Sequence, residues 1–236
     1  MLASLAAALL ATTPPVTARP PEAGSASVHA LVARCVQAHG GPAALARAAR
    51  QQQVGTVTSL LHPGAAGKIG RVYERSGRLR VEVQWPGEEG EIRVVDGDRG
   101  WRQGQEARGG HLASMMLQAV RLDLPATLAN WEARLEDRGE QVIAGKKVRV
   151  LAFPYAPGLV VEAVLDPASG RIVRSRGYST GAEHVEFITT YEDYRLVEGV
   201  LVAFREVNWA NGKTTGETVV EQVGFPATLP AEMWRP

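Results

Sequence analysis

The sequence predicts an α+β domain that is mainly β, a strongly curved antiparallel half-barrel of about eleven strands under a helical lid. Three observations lead there. Leu79, Val81, Val83 and Trp85 alternate with Arg78, Arg80, Glu82 and Gln84, the period-two pattern of a sheet that is wet on one face only. Strand-like runs are separated by short turn sequences, Trp85-Pro86-Gly87, Val95-Asp96-Gly97-Asp98, Asp166 to Gly170 and Ala210-Asn211-Gly212-Lys213, and Asn-Gly is the strongest short hairpin signal. Helical spacing occurs in only a few places, so a long sheet with one apolar face must bury that face by curving over on itself beneath them.

From the N-terminus, Met1 to Ala11 is an apolar run too short to span a bilayer but long enough for the core of a secretory signal. Small-residue cleavage patterns follow at Val16-Thr17-Ala18 and Gly24-Ser25-Ala26, no Lys or Arg precedes the run, and no Cys stands where lipid attachment would need one. Residues 1–26 are therefore read as a leader and 27–236 as a single domain. Val28, Leu31, Val32, Cys35 and Val36 make one helical stripe, stopped by Gly40-Gly41-Pro42. Cys35 belongs to that stripe as core, and His29 and His39 flank it. A short second helix is expected from Pro42 to about Arg50. From Val54 the period changes to two and stays so, except where Leu112, Met115, Met116, Ala119 and Val120 return to helical spacing. Leu128, Trp131 and Leu135 fit a helix, whereas Trp131, Ala133 and Leu135 fit a strand, and the strand is favoured because it leads into a turn at Arg138-Gly139. Alternation continues through Val148, Val161, Ile172 and Val185 to the C-terminal hairpin.

Composition narrows the function. Lys and Arg total 26, Asp and Glu 25, and the formal net charge is +1, which gives no field suited to nucleic acid. One cysteine excludes an internal disulfide, and a hydrophobic content of 45% with 22% charged residues is that of a folded chain. No nucleophile elbow, phosphate loop, dinucleotide fingerprint or His-Glu-x-x-His helix occurs, so no enzyme is expected, and no cofactor. The best metal candidate, His184 with Glu186, to which His111 or His62 could add a ligand from elsewhere, offers too few ligands and reads better as a polar outer face. Asp96 and Asp98 make a tight turn without the spacing of a calcium loop. Asp193 is read as support for a turn, with Tyr191 and Tyr194 projecting to opposite sides. Arg71, Arg75, Arg78, Arg80 and Arg93, on neighbouring strands, form either a modest basic patch on the convex or rim surface or, interleaved with Glu74, Glu82 and Glu91, a solvated mixed-charge face, which is the preferred reading.

An N-terminal helix, "VVDGDRGW" at Val94 to Trp101, an apolar helix, "LDPASGRIVRS" and "FITTYEDYRLVEGV" come in an order that resembles the lipoprotein carriers of the LolA/LolB superfamily and their outer-membrane lipoprotein-sorting relatives, over about Ser27 to Pro236. The chain departs from them in having Arg102-Gln103 after Trp101, and in its longer body. The resemblance implies an eleven-stranded half-barrel whose hydrophobic cavity holds acyl chains of a lipid or lipidated protein, in the periplasm of a Gram-negative bacterium, in contact with envelope transport machinery. A monomer that neither spans the membrane nor binds nucleic acid is expected. Lid and wall candidates are Leu112, Met115, Met116 and Ala119 from the apolar helix, with Val83, Trp85, Trp101, Phe187 and Trp209 from the sheet. A different class of reading is a structural or regulatory envelope module with a filled core. A void of several hundred Å³ beneath the Met115 helix separates the two.

Overall fold

The computed structural model describes residues 27–181 and 185–236. Helix α1, Val28–Ala38, starts at Ser27, whose Oγ accepts from the Ala30 N–H at 3.2 Å, and buries Leu31, Val32, Cys35 and Val36, the stripe expected of it. Helix α2, Gly41–Arg47, ends three residues earlier than expected, because Arg50 already pairs with Glu74 in the sheet.

Among the described residues thirteen strands follow, rather than about eleven: β1 Arg50–Ser59, β2 Ala66–Glu74, β3 Arg78–Gln84, β4 Glu91–Asp96, β5 Arg99–Arg102, β6 Gln105–Glu106, β7 Glu136–Ile143, β8 Lys146–Ala156, β9 Leu159–Leu165, β10 Ile172–Ser179, β11 Glu186–Val197, β12 Val200–Ala210 and β13 Lys213–Gly224. Pieces as short as β5 and β6 cannot display an alternating pattern. All belong to one antiparallel sheet in the order β6-β5-β4-β3-β2-β1-β13-β12-β11-β10-β9-β8-β7. Every neighbour is a hairpin partner except β1 with β13, so two meanders meet along a single seam. Strands β6 and β7 are consecutive in the chain yet occupy opposite edges of the sheet. The chain must cross from one edge to the other, and it does so through α3, Gly109–Arg121, and α4, Leu124–Asn130. The lid is thus the crossover that the sheet order demands.

Local sequence explains the details that position this lid. Leu79, Val81 and Val83 point inward on β3, as predicted, with Val95 beside Leu79 on β4. Helix α3 lies against β3, β4, β5 and β10, and it approaches closely because two strand positions lack side chains. A Cβ on Gly177 would stand 2.2 Å from Leu117, and one on Gly100 would stand 2.9 Å from Leu112, both inside hard-sphere contact. Asn211 and Gly212 take φ of 48° and 76°, the left-handed pair that a two-residue type I′ hairpin requires.

Three expectations are corrected. Residues 128–135 are not a strand. Pro125 opens α4, Leu124 and Leu128 are buried, and a 3-10 turn at Glu132–Arg134 carries the helical course on to β7. Burying the leucines, with the Trp131 ring edge-on to Phe153 at 5.5 Å, outweighs the alternating reading. Tyr191 and Tyr194 do not project to opposite sides, since both line one small hollow of about 70 Å³. Asp193, at φ 50°, drops out of the ladder between Glu192↔Arg205 and Tyr194↔Ala203, which keeps the same register on either side. A left-handed residue inside a strand breaks the strict alternation of side chains, and the second tyrosine comes round to the first one's face. The five arginines do not share a patch either. Arg78 and Arg80 stay on the outer face, paired with Asp96 and Glu82, whereas Arg71 and Arg93 line the interior and Arg75 is clamped to the buried Asp123.

Candidate functional site: the cavity beneath the lid

Between α3 and the inner face of the sheet lies a cavity of about 370 Å³, bounded by both meanders and therefore spanning the β1–β13 seam. One part of its wall is apolar: Val57, Ile69, Val81 and Val83 on β1 to β3, Trp85 just beyond β3, and Phe187 on β11, with Met115 reaching down from the lid. His62 stacks on Trp85 at the mouth, ring centroids 3.9 Å apart, and the exposed Leu61 stands beside it.

The rest of the wall is polar, which the sequence reading missed. Glu206 of β12 is buried and takes a bidentate pair from Arg71 of β2, at 2.7 and 3.1 Å, across the seam. Arg121, in the last turn of α3, reaches the same carboxylate at 3.3 Å and donates to Thr189 Oγ1 and Asn208 Oδ1 at 2.8 Å each. Burial alone would push the Glu206 carboxyl up, but the two guanidinia more than offset it and hold it below the usual carboxylate range. Towards the mouth, Glu91 lies 2.7 Å from both Arg93 and Arg102, and Arg93 also donates to Gln118 of the lid at 3.2 Å. A second buried pair anchors the lid from behind. Asp123, between α3 and α4, accepts from Arg75 at 2.5 and 3.0 Å, and Arg75 in turn donates to the Leu45 carbonyl at 2.6 Å. Burial raises the Asp123 carboxyl, which the Arg75 pairing only partly counters.

Of the nine residues nominated from the sequence, Val83, Trp85, Met115, Phe187 and Trp209 line this cavity. Met116 and Ala119 are packed into the closed core of the lid, and Leu112 packs beside Gly100; none of the three faces the void. Trp101 is on the wrong side of the sheet. It pairs with Val94 on the outer face, beneath the Arg99 guanidinium, while its neighbour Gly100 faces the lid. Cavity-facing residues of α3 are His111, Ser114, Met115, Gln118 and Arg121, a helical stripe beside the apolar one. Its signal was present in the spacing, masked by the more conspicuous leucine and methionines. Among the described residues no three metal-ligating side chains come together; His184 lies outside the described residues, and Glu186 is paired with Arg176 at 2.6 Å.

Neither the family models nor the curated proteins compared with the sequence match it. Solved structures do. A LolA superfamily protein from Nitrosomonas europaea superposes with a TM-score of 0.57 at 12% identity, over 89% of this chain and 98% of that one. An outer membrane lipoprotein-sorting protein domain from Vibrio parahaemolyticus gives 0.42 at 12% identity, over 78% and 87%. A DUF1329 family protein from Desulfovibrio piger gives 0.46 at 7%, over 88% and 96%. An unclosed antiparallel half-barrel, roofed by the helices that join its two edges, defines the class. The chain has the LolA-like fold, as the Nitrosomonas superposition shows and as the order of its sequence elements led one to expect.

Proposed function

We propose that this protein is a non-catalytic periplasmic carrier that takes an acyl chain of a lipid or lipidated protein into the cavity beneath α3, with residues 1–26 as its export signal. The observation that carries the reading is the cavity itself, about 370 Å³ beneath the Met115 helix, where a filled-core envelope module would have packed side chains. Ligand pockets run from about 300 to 1,000 Å³, so this one suits a single chain rather than a bundle. Each methylene withdrawn from water contributes about 0.8 kcal/mol, and several kcal/mol are lost on association, which leaves binding strong enough to hold cargo and weak enough to release it to a membrane or to transport machinery. No helix among the described residues is long and apolar enough to cross a membrane.

Titration with a neutral fluorescent alkyl probe, beside native mass spectrometry of protein purified from cells, tests this. Saturable one-to-one binding, displaced by long-chain lipid, is expected. Absence of both copurified lipid and saturable binding would sink the carrier reading in favour of a module acting through its surface.

A further inference from the structure

The ladder register sorts the inner face of β2 to β5 into levels. Arg71 pairs with Val81, Val81 with Arg93, and Arg93 with Arg102, so three arginines share one row across four strands. One inward position further along those strands, Ile69 and Val83 share the next row, which ends in Glu91. A basic level therefore lies directly against an apolar one inside the same cavity. Arg121 comes down from α3 to join the basic level on its seam side.

Among the described residues these four guanidinia have only two carboxylates between them. Glu206 serves Arg71 and Arg121, and Glu91 serves Arg93 and Arg102, so two positive charges are in excess. The side chains of Arg71, Arg121 and Arg93 are 4%, 15% and 23% exposed, whereas Arg102, at the mouth, is half exposed. The Nε of Arg121 is buried without a hydrogen-bond acceptor, and that of Arg93 lies 2.7 Å from Glu91 without the alignment of a hydrogen bond. Removing cations from water without counter-charge is costly, and the cost is visible at Arg93. Burial and the repulsion of Arg102 and Arg121 outweigh Glu91 and pull its pKa down. A solvated surface cluster would carry no such penalty, so the excess charge points to a group that the cavity admits.

Resting on the carrier reading, we propose that the cargo is an anionic amphiphile, its carboxylate or phosphate seated between Arg93 and Arg121 and its hydrocarbon along Ile69, Val83, Trp85 and Phe187. Guanidinium forks match both oxyanions in geometry, and the adjacent apolar row receives the chain that follows.

The test compares four probes on the intact protein: hexadecanoate, hexadecyl phosphate, hexadecanol, and inorganic phosphate without a chain. At least one of the anionic amphiphiles is expected to bind about tenfold or more tighter than the alcohol, the factor that one charge-assisted hydrogen bond is worth, with inorganic phosphate much weaker than either. Arg93→Gln should lower affinity for the anionic amphiphiles by about tenfold more than it lowers that for hexadecanol, with the circular dichroism spectrum of a folded sheet retained, and Arg93→Lys should restore part of the difference. Equal binding of acid, phosphate and alcohol overturns the proposal and leaves the carrier reading standing. Binding of none of the chains overturns both. Inorganic phosphate binding as tightly as its hexadecyl ester overturns it in favour of a free-anion site. Should Arg93→Gln not fold, the comparison of probes on the unsubstituted protein decides alone.

Discussion

Replacing Glu206 by Gln leaves Arg71 and Arg121 facing each other with no counter-charge on the seam. The magnitude follows from the geometry. Arg71 and Glu206 are 2.7 Å apart at their nearest atoms and about one-twentieth exposed. Two unit charges some 4 Å apart in a medium of effective dielectric about 20 interact by about 4 kcal/mol, in line with the roughly 3 to 5 kcal/mol lost when one partner of a buried pair is removed. With a urea slope of about 2 kcal/mol per molar, the unfolding midpoint should fall by roughly 2 M. Linkage supplies an independent signature. The Glu206 carboxyl is held below the ordinary glutamate range by Arg71 and Arg121, so its stabilisation is fully present above the unfolded-chain value and is lost as pH falls through the depressed folded pKa. Urea melts at pH 7, 4.5 and 3 should therefore show the gap between parent and Glu206→Gln narrowing in acid. A loss under about 1 kcal/mol at pH 7, or a gap that does not narrow, would refute the claim that this pair clamps the seam.

Other outcomes are expected from the same structure. Met116→Glu should lower stability by several kcal/mol because its side chain is in the closed core, while Met115→Ser, at a buried position that also lines the cavity, should cost about 2 to 5 kcal/mol and in addition weaken alkyl-probe binding to the folded protein; unweakened binding would misplace the lid. Gly177→Ala should cost about 1 to 3 kcal/mol by overpacking against Leu117, read by calorimetry as a loss of several degrees. The Cys35 thiol, fully buried and pushed up to about 12 by that burial, should resist a disulfide reagent at pH 8 until denaturant is added, and rapid labelling of the native protein would contradict its place in the core.

How much of this was legible depended on how local the cause was. Asn211-Gly212 declared its turn, and Leu79, Val81 and Val83 declared their face, because neighbours in sequence suffice for both. The helix stripe ending at Val36 was read for the same reason. Inward polar residues were not read so. Gln51, Gln53, Arg71 and Glu206 are buried at strand positions that alternation alone assigns to core side chains, and what makes Arg71 tolerable there stands 135 positions away. A left-handed backbone at Asp193 turned Tyr194 to the face of Tyr191, a change that no count along the strand reveals. At the site, the apolar wall was legible as a set, with Trp101 misplaced by the turn that precedes it, while the basic row needed the register of four strands to be seen.

The crossover through α3 carries one more implication. It is the single covalent strap between the two wings of the cup; cut between Ala107 and Arg108, the chain becomes two fragments, 27–107 and 108–236, each a run of hairpins, touching along the β1–β13 border and through the helices. Mixed after separate preparation, such halves should recombine into a complex whose affinity measures how firmly the seam is sewn, and cargo that bridges both walls should tighten that union.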